Sequence, residues 1–302
     1  MLAILVDAVL PVFIIAGIGI LVGRIFKPDP RPISRLALYV FAPALIFSSL
    51  ATADMHFGEV ASIFLFLLIW TPIMYAISWA IAWQLRIRGK ARNAFLLGTL
   101  FSNAVNYGLP VSLFAFGQEG MNRALLFLAP TALMTGTLAI YIASGGGAGG
   151  WRSLLPLLRI PTFYATLAAL AINPLDVTFP NAIARPLQTL AGAAIPTMIM
   201  VLGIQLSHAS IKEDLLPGGI AAFVRLFIAP AVAYLCTLVL GIDGVTQQVV
   251  VVLSGMPTAV HTIILATEFD TRPNQVTSTV ALSTAASLVT LTLLIWTVQR
   301  VL

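Results

Sequence analysis

The sequence predicts an all-α membrane protein of ten transmembrane helices, arranged as a 5+5 inverted repeat with two broken crossover helices, the fourth and the ninth. Composition is the first reason, because 59% of the 302 residues are hydrophobic, 9% are charged and the mean hydropathy is +1.00. Typical soluble domains carry about 25% charged residues, so this chain is expected to lie in a bilayer. The second reason is a set of ten apolar runs, and the third is a glycine–proline motif in each half.

Each apolar run is about 20 residues long, which is the length that crosses the hydrocarbon core of a membrane as a helix. Charged residues, prolines or glycines bound the runs. The first run starts almost at Met1 and is longer than the apolar core of a signal peptide, so we expect it to be a retained span. The predicted spans are 3–25, 33–53, 60–84, 93–116 and 122–143 in the first half, and 154–173, 183–206, 217–240, 245–267 and 275–299 in the second.

A glycine-rich segment at 144–150 separates a first repeat at 1–143 from a second repeat at 151–302, and it is predicted to be a flexible hinge. Each half holds five spans, an odd number, so the second half enters the membrane with the opposite orientation. That is the arrangement of an inverted repeat. Prolines recur in corresponding spans, as Pro43 and Pro196, Pro72 and Pro230, and Pro110 and Pro257.

Lys and Arg residues gather in alternate loops. Twelve fall on one predicted side of the membrane, and only Arg123, Arg185 and Arg300 fall on the other. Since cytoplasmic loops carry the excess of these residues, both termini are expected outside the cytoplasm. The net charge of +5 is thus attributed to orientation, and no nucleic-acid partner is expected. The single cysteine, Cys236, excludes an intramolecular disulfide.

The two glycine–proline motifs, Gly108-Leu109-Pro110 and Gly255-Met256-Pro257, predict where substrate binds. A proline inside a helix removes a hydrogen bond, and a nearby glycine loosens the same turn. Within a membrane, the freed backbone groups must face protein or a water-filled cavity, so matched breaks in two halves indicate a transporter site. The candidate substrate-binding residues are Ser102, Asn103, Asn106, Gly108, Pro110, Ser254, Gly255, Pro257, Thr258 and His261.

The chemistry around the breaks favours an anionic or neutral substrate. If the broken segments cross, half-helix N-termini converge, and such a point suits a carboxylate. All eleven acidic residues lie at or near span ends, so no carboxylate is expected at the midplane to hold sodium or an organic cation. His261 is either a proton or carboxylate site or a neutral, hydrogen-bonded histidine. Arg225 is expected to reach toward the cytoplasmic headgroups.

These motifs resemble the auxin efflux carrier family, whose members include bacterial relatives of the plant PIN auxin exporters. The fourth span has the family's Asn-x-x-x-x-Gly-x-Pro pattern, and both broken spans have family-like endings. The resemblance covers the full length of the chain. The residues that carry it are Asn103, Gly108, Pro110, Phe116-Gly117-Gln118-Glu119, Pro257, Ala266-Thr267-Glu268-Phe269 and Pro273.

The resemblance implies a five-plus-five inverted repeat shared with bile-acid/sodium symporters. Helices 1, 2, 6 and 7 would form a scaffold, and helices 3–5 and 8–10 a mobile transport domain. Asn103 would contact a substrate carboxylate. The chain lacks the long cytoplasmic loop of the plant exporters, and Ser102 stands where they carry a proline. Bacterial relatives are associated with malonate-like or other small organic acids, so the substrate stays open.

The leading hypothesis is a secondary transporter of small organic anions, either auxin-like monocarboxylates or malonate-like acids, which works by elevator-type alternating access. A sodium-coupled bile-acid-type symporter is the alternative. A channel is disfavoured by the breaks and the repeat, and an enzyme by the scattered His56, His208 and His261. No cofactor or metal is expected. The expected partners are the substrate and the lipid bilayer of a bacterial inner membrane, and a homodimer is one alternative for the oligomeric state.

Overall fold

The structure is a computed structural model that describes residues 1–53, 57–146, 161–175, 177, 179–208 and 214–302. In this part of the chain all regular secondary structure is helical, apart from one isolated β-bridge between Ser102 and Thr258. This confirms the all-α prediction. α-Helical and π-helical pieces that follow one another without a gap are numbered together. The helices are α1 Leu2–Phe26, α2 Pro30–Leu50, α3 Phe57–Gln84, α4 Gly89–Leu100, α5 Ala104–Ala143, α6 Pro161–Ile172, α7 Asn181–Ser207, α8 Leu215–Leu240, α9 Gly244–Ser254, α10 His261–Glu268 and α11 Pro273–Val301.

Seven helices of the described part are long and apolar enough to cross a bilayer: α1, α2, α3, α5, α7, α8 and α11. The predicted fourth span is divided between α4 and the first part of α5, and the predicted ninth between α9 and α10. α5 bends at Gly117, where a φ of +67° favours glycine, and its remainder corresponds to the predicted fifth span. Residues 147–160, which include most of the predicted hinge and the start of the predicted sixth span, lie outside the described residues.

Several prolines of this chain widen a helical turn and do not end the helix. Within the described residues, four π-helical turns end two residues before a proline, namely those before Pro11, Pro43, Pro110 and Pro230. A proline donates no backbone hydrogen bond, and a wider turn keeps its ring away from the preceding carbonyl. A proline within an apolar run is therefore weak evidence for a helix break in this chain.

The prediction that the fourth span breaks at Gly108-Leu109-Pro110 is wrong. Gly108 (φ −65°, ψ −43°) and Leu109 (φ −60°, ψ −52°) are helical, and the chain is extended earlier, at Phe101 (φ −105°, ψ 110°). Pro110 follows the π-helical turn Ala104–Gly108, and this wider turn accommodates the proline ring without ending the helix. The ninth span does break at its glycine–proline motif, since α9 ends at Ser254 and α10 begins at His261.

The helices pack as two groups. α1 lies along α7, and α2 packs on both α6 and α7, so these four are called the four-helix group. α1 and α7 approach closely, because a Cβ atom on Gly203 would lie 2.1 Å from the carbonyl oxygen of Ala16. Small residues allow such an approach between membrane helices. The remaining helices, α3, α4, α5 and α8 to α11, pack mainly on one another and are called the seven-helix group.

Hydrogen bonds from side chains to backbone carbonyls join helices within the seven-helix group. The indole N–H of Trp70 in α3 donates to the carbonyl oxygen of Ala229 in α8, at 3.2 Å. The hydroxyl of Thr271, just before α11, donates to the carbonyl oxygen of Ala143 at the end of α5, at 2.6 Å. Because a buried polar group without a partner is costly, these bonds favour one fixed arrangement of the helices.

Candidate functional site

Two interruptions, one between α4 and α5 and the other between α9 and α10, lie side by side in the seven-helix group. Their backbones pair in antiparallel fashion. The N–H of Asn103 donates to the carbonyl oxygen of Pro257 at 2.8 Å, and the N–H of Ala259 donates to that of Phe101 at 2.9 Å. The pairing satisfies some of the backbone groups that the interruptions set free, and it brings four helix ends close together.

Different residues cause the two interruptions. Between α9 and α10, Pro257 has no N–H to offer a helix and disfavours helical angles at Met256. Between α4 and α5 there is no proline. There the carbonyl oxygen of Thr99 accepts a hydrogen bond from Arg225 at 3.1 Å, so a distant side chain satisfies a group at the end of α4.

We call the place where the two interruptions pair the crossing. A cavity of about 450 Å³ lies beside it, between the four-helix group and the seven-helix group. Its walls come from α2, α5, α6, α7 and α10 and from both interruptions. None of the described residues that line it is Lys, Arg, Asp or Glu. Its lining includes Ser34 near the start of α2, Thr162 near the start of α6 and Gln205 near the end of α7. The cavity therefore extends toward the end of the bundle at which α1 joins α2.

Three polar side-chain atoms of the lining are buried without a hydrogen-bond partner in the described part of the chain. They are Nδ2 of Asn103, Nε2 of His261 and Oε1 of Gln205. Most buried polar atoms in proteins are hydrogen-bonded, so three unsatisfied atoms around one cavity indicate a place for a polar ligand. Asn103 is only 4% exposed and also precedes the first turn of α5, whose N–H groups have no intrahelical acceptor.

The ten predicted site residues fall into two sets. Four of them, Ser102, Asn103, Asn106 and His261, line the cavity. The other six do not line it and are buried in the bundle, namely Gly108, Pro110, Ser254, Gly255, Pro257 and Thr258. Thr258 shows their role, because its hydroxyl donates to the carbonyl oxygen of Gly98 at 2.6 Å and its N–H to Ser283 Oγ at 3.1 Å. Contact of any of the ten with substrate stays a prediction.

The prediction that Arg225 reaches toward the headgroups is wrong. Its side chain is 0% exposed, and its Nε donates to the carbonyl oxygen of Met256 at 2.9 Å. Its other nitrogens donate to the carbonyl oxygens of Thr99, Leu100 and Ser254, which lie at the ends of α4 and α9. Helix C-termini carry partial negative charge, so they can hold a buried arginine without a carboxylate.

Gln205 is a lining residue that the sequence interpretation missed. It lies near the end of α7, where the chain reads Met198-Ile199-Met200-Val201-Leu202-Gly203-Ile204-Gln205-Leu206. Gln205 is the only polar side chain in that stretch, and its amide would be costly to bury without a function or a partner. A single polar residue in an apolar stretch could have identified Gln205 as a candidate. The sequence does not show, however, that this part of α7 faces the crossing.

Comparison with known proteins gives a family and several relatives. The model of a family described as membrane transport protein matches residues 4–148 and 151–295. An "Uncharacterized transporter" of Methanothermobacter thermautotrophicus is 27% identical over 97% of this chain and 97% of its own length. An uncharacterized transporter of Methanocaldococcus jannaschii is 24% identical over 96% and 97%. A protein of Rhizobium meliloti named "Putative malonate transporter" is 24% identical over 96% and 95%.

Proposed function

Because the chain belongs to the membrane transport protein family, we propose that it is a secondary transporter that binds a small organic anion at the crossing. Its relatives are transporters and not enzymes, and its apolar helices make it an integral membrane protein. The proposal adds the substrate class, the position of the site and the mode of movement. The substrate is an auxin-like monocarboxylate or a malonate-like acid.

The observation that carries the proposal is the set of unpartnered polar atoms around a cavity that no described Lys, Arg, Asp or Glu lines. Nδ2 of Asn103 is a hydrogen-bond donor and lies next to the first turn of α5. The N-terminal end of a helix carries roughly half a positive charge, so donor and helix end together favour a carboxylate. An organic cation would find no acidic side chain among the described lining residues. The site therefore fits an anion better than a cation.

The size and polarity of the cavity support a small substrate. A volume of about 450 Å³ is in the range of small-molecule sites, which are mostly apolar with a few polar groups that fix orientation. Here Asn103 would receive the carboxylate, and Gln205 and His261 would contact further polar atoms of the substrate. The relative named for malonate supports a dicarboxylate as one of the two classes.

The packing supports an elevator-type movement. In this proposal the four-helix group is the scaffold and the seven-helix group is the transport domain, within a ten-span, 5+5 inverted repeat. Hydrogen bonds such as Trp70 to Ala229 join helices inside the seven-helix group. Contacts between the groups include the ring contact of Phe13 with Tyr107, which has no hydrogen bond to break. The cavity lies between the two groups, so the site would move along the four-helix group together with the seven-helix group.

The proposed membrane orientation gives the cavity a direction. The loops at the end toward which the cavity extends carry the Lys and Arg excess, so this end would face the cytoplasm of a bacterial cell. Both termini would then lie outside the cytoplasm. The structure would correspond to an inward-facing state, in which the organic anion exchanges with the cytoplasm.

A thermal-shift screen of the purified protein tests the proposal. The ligands are indole-3-acetate, malonate and related acids, each in sodium and in potassium buffer, with the uncharged amide of each acid as the matched control. A ligand at 100 times its Kd stabilises the folded state by about 2.7 kcal/mol. We expect one acid class to raise the melting temperature in both buffers and its amide to have no effect. Equal effects of acid and amide would contradict an anion site, and a shift seen only in sodium would favour the bile-acid-type symporter.

A further inference from the structure

Arg225 joins the C-terminal ends of both interrupted helices. Its guanidinium donates to carbonyl oxygens at the end of α4, those of Thr99 (3.1 Å) and Leu100 (3.3 Å). It also donates to carbonyl oxygens at and just beyond the end of α9, those of Ser254 and Met256, the latter at 2.9 Å. We call these four oxygens the carbonyl cage. None of the four cage residues lines the cavity, whereas the first residues of α5 and α10, Ala104 and His261, do.

The partners of Arg225 are unusual for a buried arginine. Arg123, which is 8% exposed, faces the carboxylates of Glu59 (3.0 Å) and Glu119 (3.4 Å). Arg225 is 0% exposed and makes no ion pair with any described carboxylate. A buried charge without compensation is strongly unfavourable, so another source of negative charge must hold it.

The helix ends supply that charge. Each helix C-terminus carries about half a negative elementary charge, so the ends of α4 and α9 together offer about one, which matches one guanidinium. The indole of Trp70 adds a second attraction, with its centroid 5.5 Å from Arg225 Cζ. The same indole is fixed by its hydrogen bond to Ala229, directly after the π-helical turn that contains Arg225. Local structure thus holds the guanidinium in the cage.

We propose that Arg225 is the permanent cation of the crossing, and that its guanidinium replaces the soluble cation that this carbonyl cage would otherwise need. Backbone carbonyl oxygens are ligands that hard cations also use, and an unfilled cage of four would attract one. With the cage filled by a side chain, the negative helix ends are neutralised while the site on the other side of the crossing is free for an anion. Arg225 is then a positioning residue, and uptake of the anion needs no sodium or potassium in the cage.

The claim about transport rests on the proposed function, but the claim about the cage does not. Arg225→Ala should remove the cation and leave a space of the size of a guanidinium. We expect its melting temperature to be well below that of the wild type, and guanidinium chloride at non-denaturing concentrations to raise it again. The same additive should lower the melting temperature of the wild type, because it weakens folding generally. Sodium and potassium chloride at equal ionic strength should not rescue the variant.

The matched control is Arg300→Ala, which removes an exposed arginine that also lies over a tryptophan, with its Cζ 4.6 Å from the Trp296 ring centroid. We expect its melting temperature to fall on addition of guanidinium, as in the wild type. If Arg225→Ala does not fold, Arg225→Lys keeps a charge and some of the donors. That variant should fold, and guanidinium should give it little or no stabilisation.

In proteoliposomes, we expect wild-type uptake of the acid found by the screen to be equal in sodium, potassium and choline. Arg225→Ala should lose at least about nine-tenths of the uptake and regain part of it with guanidinium. Wild-type stability in Arg225→Ala, rescue by sodium in place of guanidinium, or a sodium requirement of the wild type would overturn the proposal. If no acid binds the wild type, the proposed function fails, while guanidinium rescue of stability still tests the cage.

Discussion

The two sides of the crossing differ in how their polar groups are satisfied. On one side, Arg225 donates hydrogen bonds to four carbonyl oxygens at the ends of α4 and α9, those of Thr99, Leu100, Ser254 and Met256. On the other side, Nδ2 of Asn103, Nε2 of His261 and Oε1 of Gln205 have no partner within the described chain, and a cavity lies in front of them. On the first side, called the arginine side, backbone carbonyls are thus satisfied by the protein itself. On the second, called the cavity side, side-chain atoms are left for a ligand.

This difference separates stability from binding. A change on the arginine side removes hydrogen bonds that exist in the folded protein, so it should lower the free energy of unfolding. A change on the cavity side removes groups that bond only to a ligand, so it should lower affinity and leave stability nearly unchanged. Measuring both the free energy of unfolding and the ligand affinity of each variant therefore distinguishes the two sides.

Asn103→Ala should have the largest effect on transport. We expect it to abolish uptake, because it removes the donor closest to the proposed carboxylate position, and to change the free energy of unfolding by less than about 1 kcal/mol. Uptake and denaturant unfolding of the same preparation test both parts. Asn122→Ala is the control, since Asn122 accepts from Gln118 at 3.0 Å and does not line the cavity. Normal uptake by Asn103→Ala at equal expression would count against a substrate at this place.

Gln205→Glu should have the next largest effect. It places a negative charge among described lining residues that include no Lys, Arg, Asp or Glu. We expect it to weaken anion binding by roughly tenfold or more, which corresponds to about 1.4 kcal/mol. Gln84→Glu adds the same charge at the exposed end of α3 and should leave affinity unchanged. Titration of the ligand monitored by intrinsic fluorescence measures both. Equal affinities in the two variants would remove Gln205 from the site.

Thr258→Val should have a smaller effect, and on stability. The substitution keeps the shape of the side chain but leaves the Gly98 carbonyl without its hydroxyl donor, and we expect a loss of about 1–2 kcal/mol in the free energy of unfolding. Ligand affinity should stay close to that of the wild type, because Thr258 does not line the cavity. A large loss of affinity with unchanged stability would place Thr258 on the binding side of the comparison.

Pro110→Ala should have the smallest effect. The chain is already helical at Gly108 and Leu109, so the substitution adds an N–H to a continuous helix and should change stability by less than about 1 kcal/mol. Pro257→Ala is the informative partner, because Pro257 lies inside an interruption and its carbonyl oxygen pairs with Asn103. We expect uptake to fall only in Pro257→Ala. A similar fall in both variants would restore Pro110 as a residue that shapes the site.

The sequence predicted the helical nature of the chain and four residues that line the cavity, because apolar run length and isolated polar residues are local signals. It placed one interruption correctly, at Pro257, where the cause is also local. It misplaced the other, because there the carbonyl groups are satisfied by Arg225, which is more than a hundred residues away. The inverted repeat, the domain boundaries and the orientation stay predictions.

The roles of Arg225 and Gln205 could not be read from sequence pattern for a related reason. A charged or polar residue in an apolar run can reach the membrane surface, face a cavity or bind helix ends, and spacing along the chain does not distinguish these cases. The distinction depends on which helix ends lie opposite the residue in three dimensions. For Arg225 these are the ends of α4 and α9, which belong to different halves of the chain.

The central claim is that an organic anion binds at Asn103, and the most direct test is the affinity of Asn103→Asp for the acid that stabilises the wild type. Aspartate has nearly the shape of asparagine but replaces the free Nδ2 donor with a negative oxygen. Isothermal titration calorimetry at neutral pH, with Asn122→Asp as the control, would measure the Kd. We expect Asn103→Asp to lose measurable binding of the acid and the control to keep it. Binding of the acid to Asn103→Asp with wild-type affinity would contradict an anion site at the crossing.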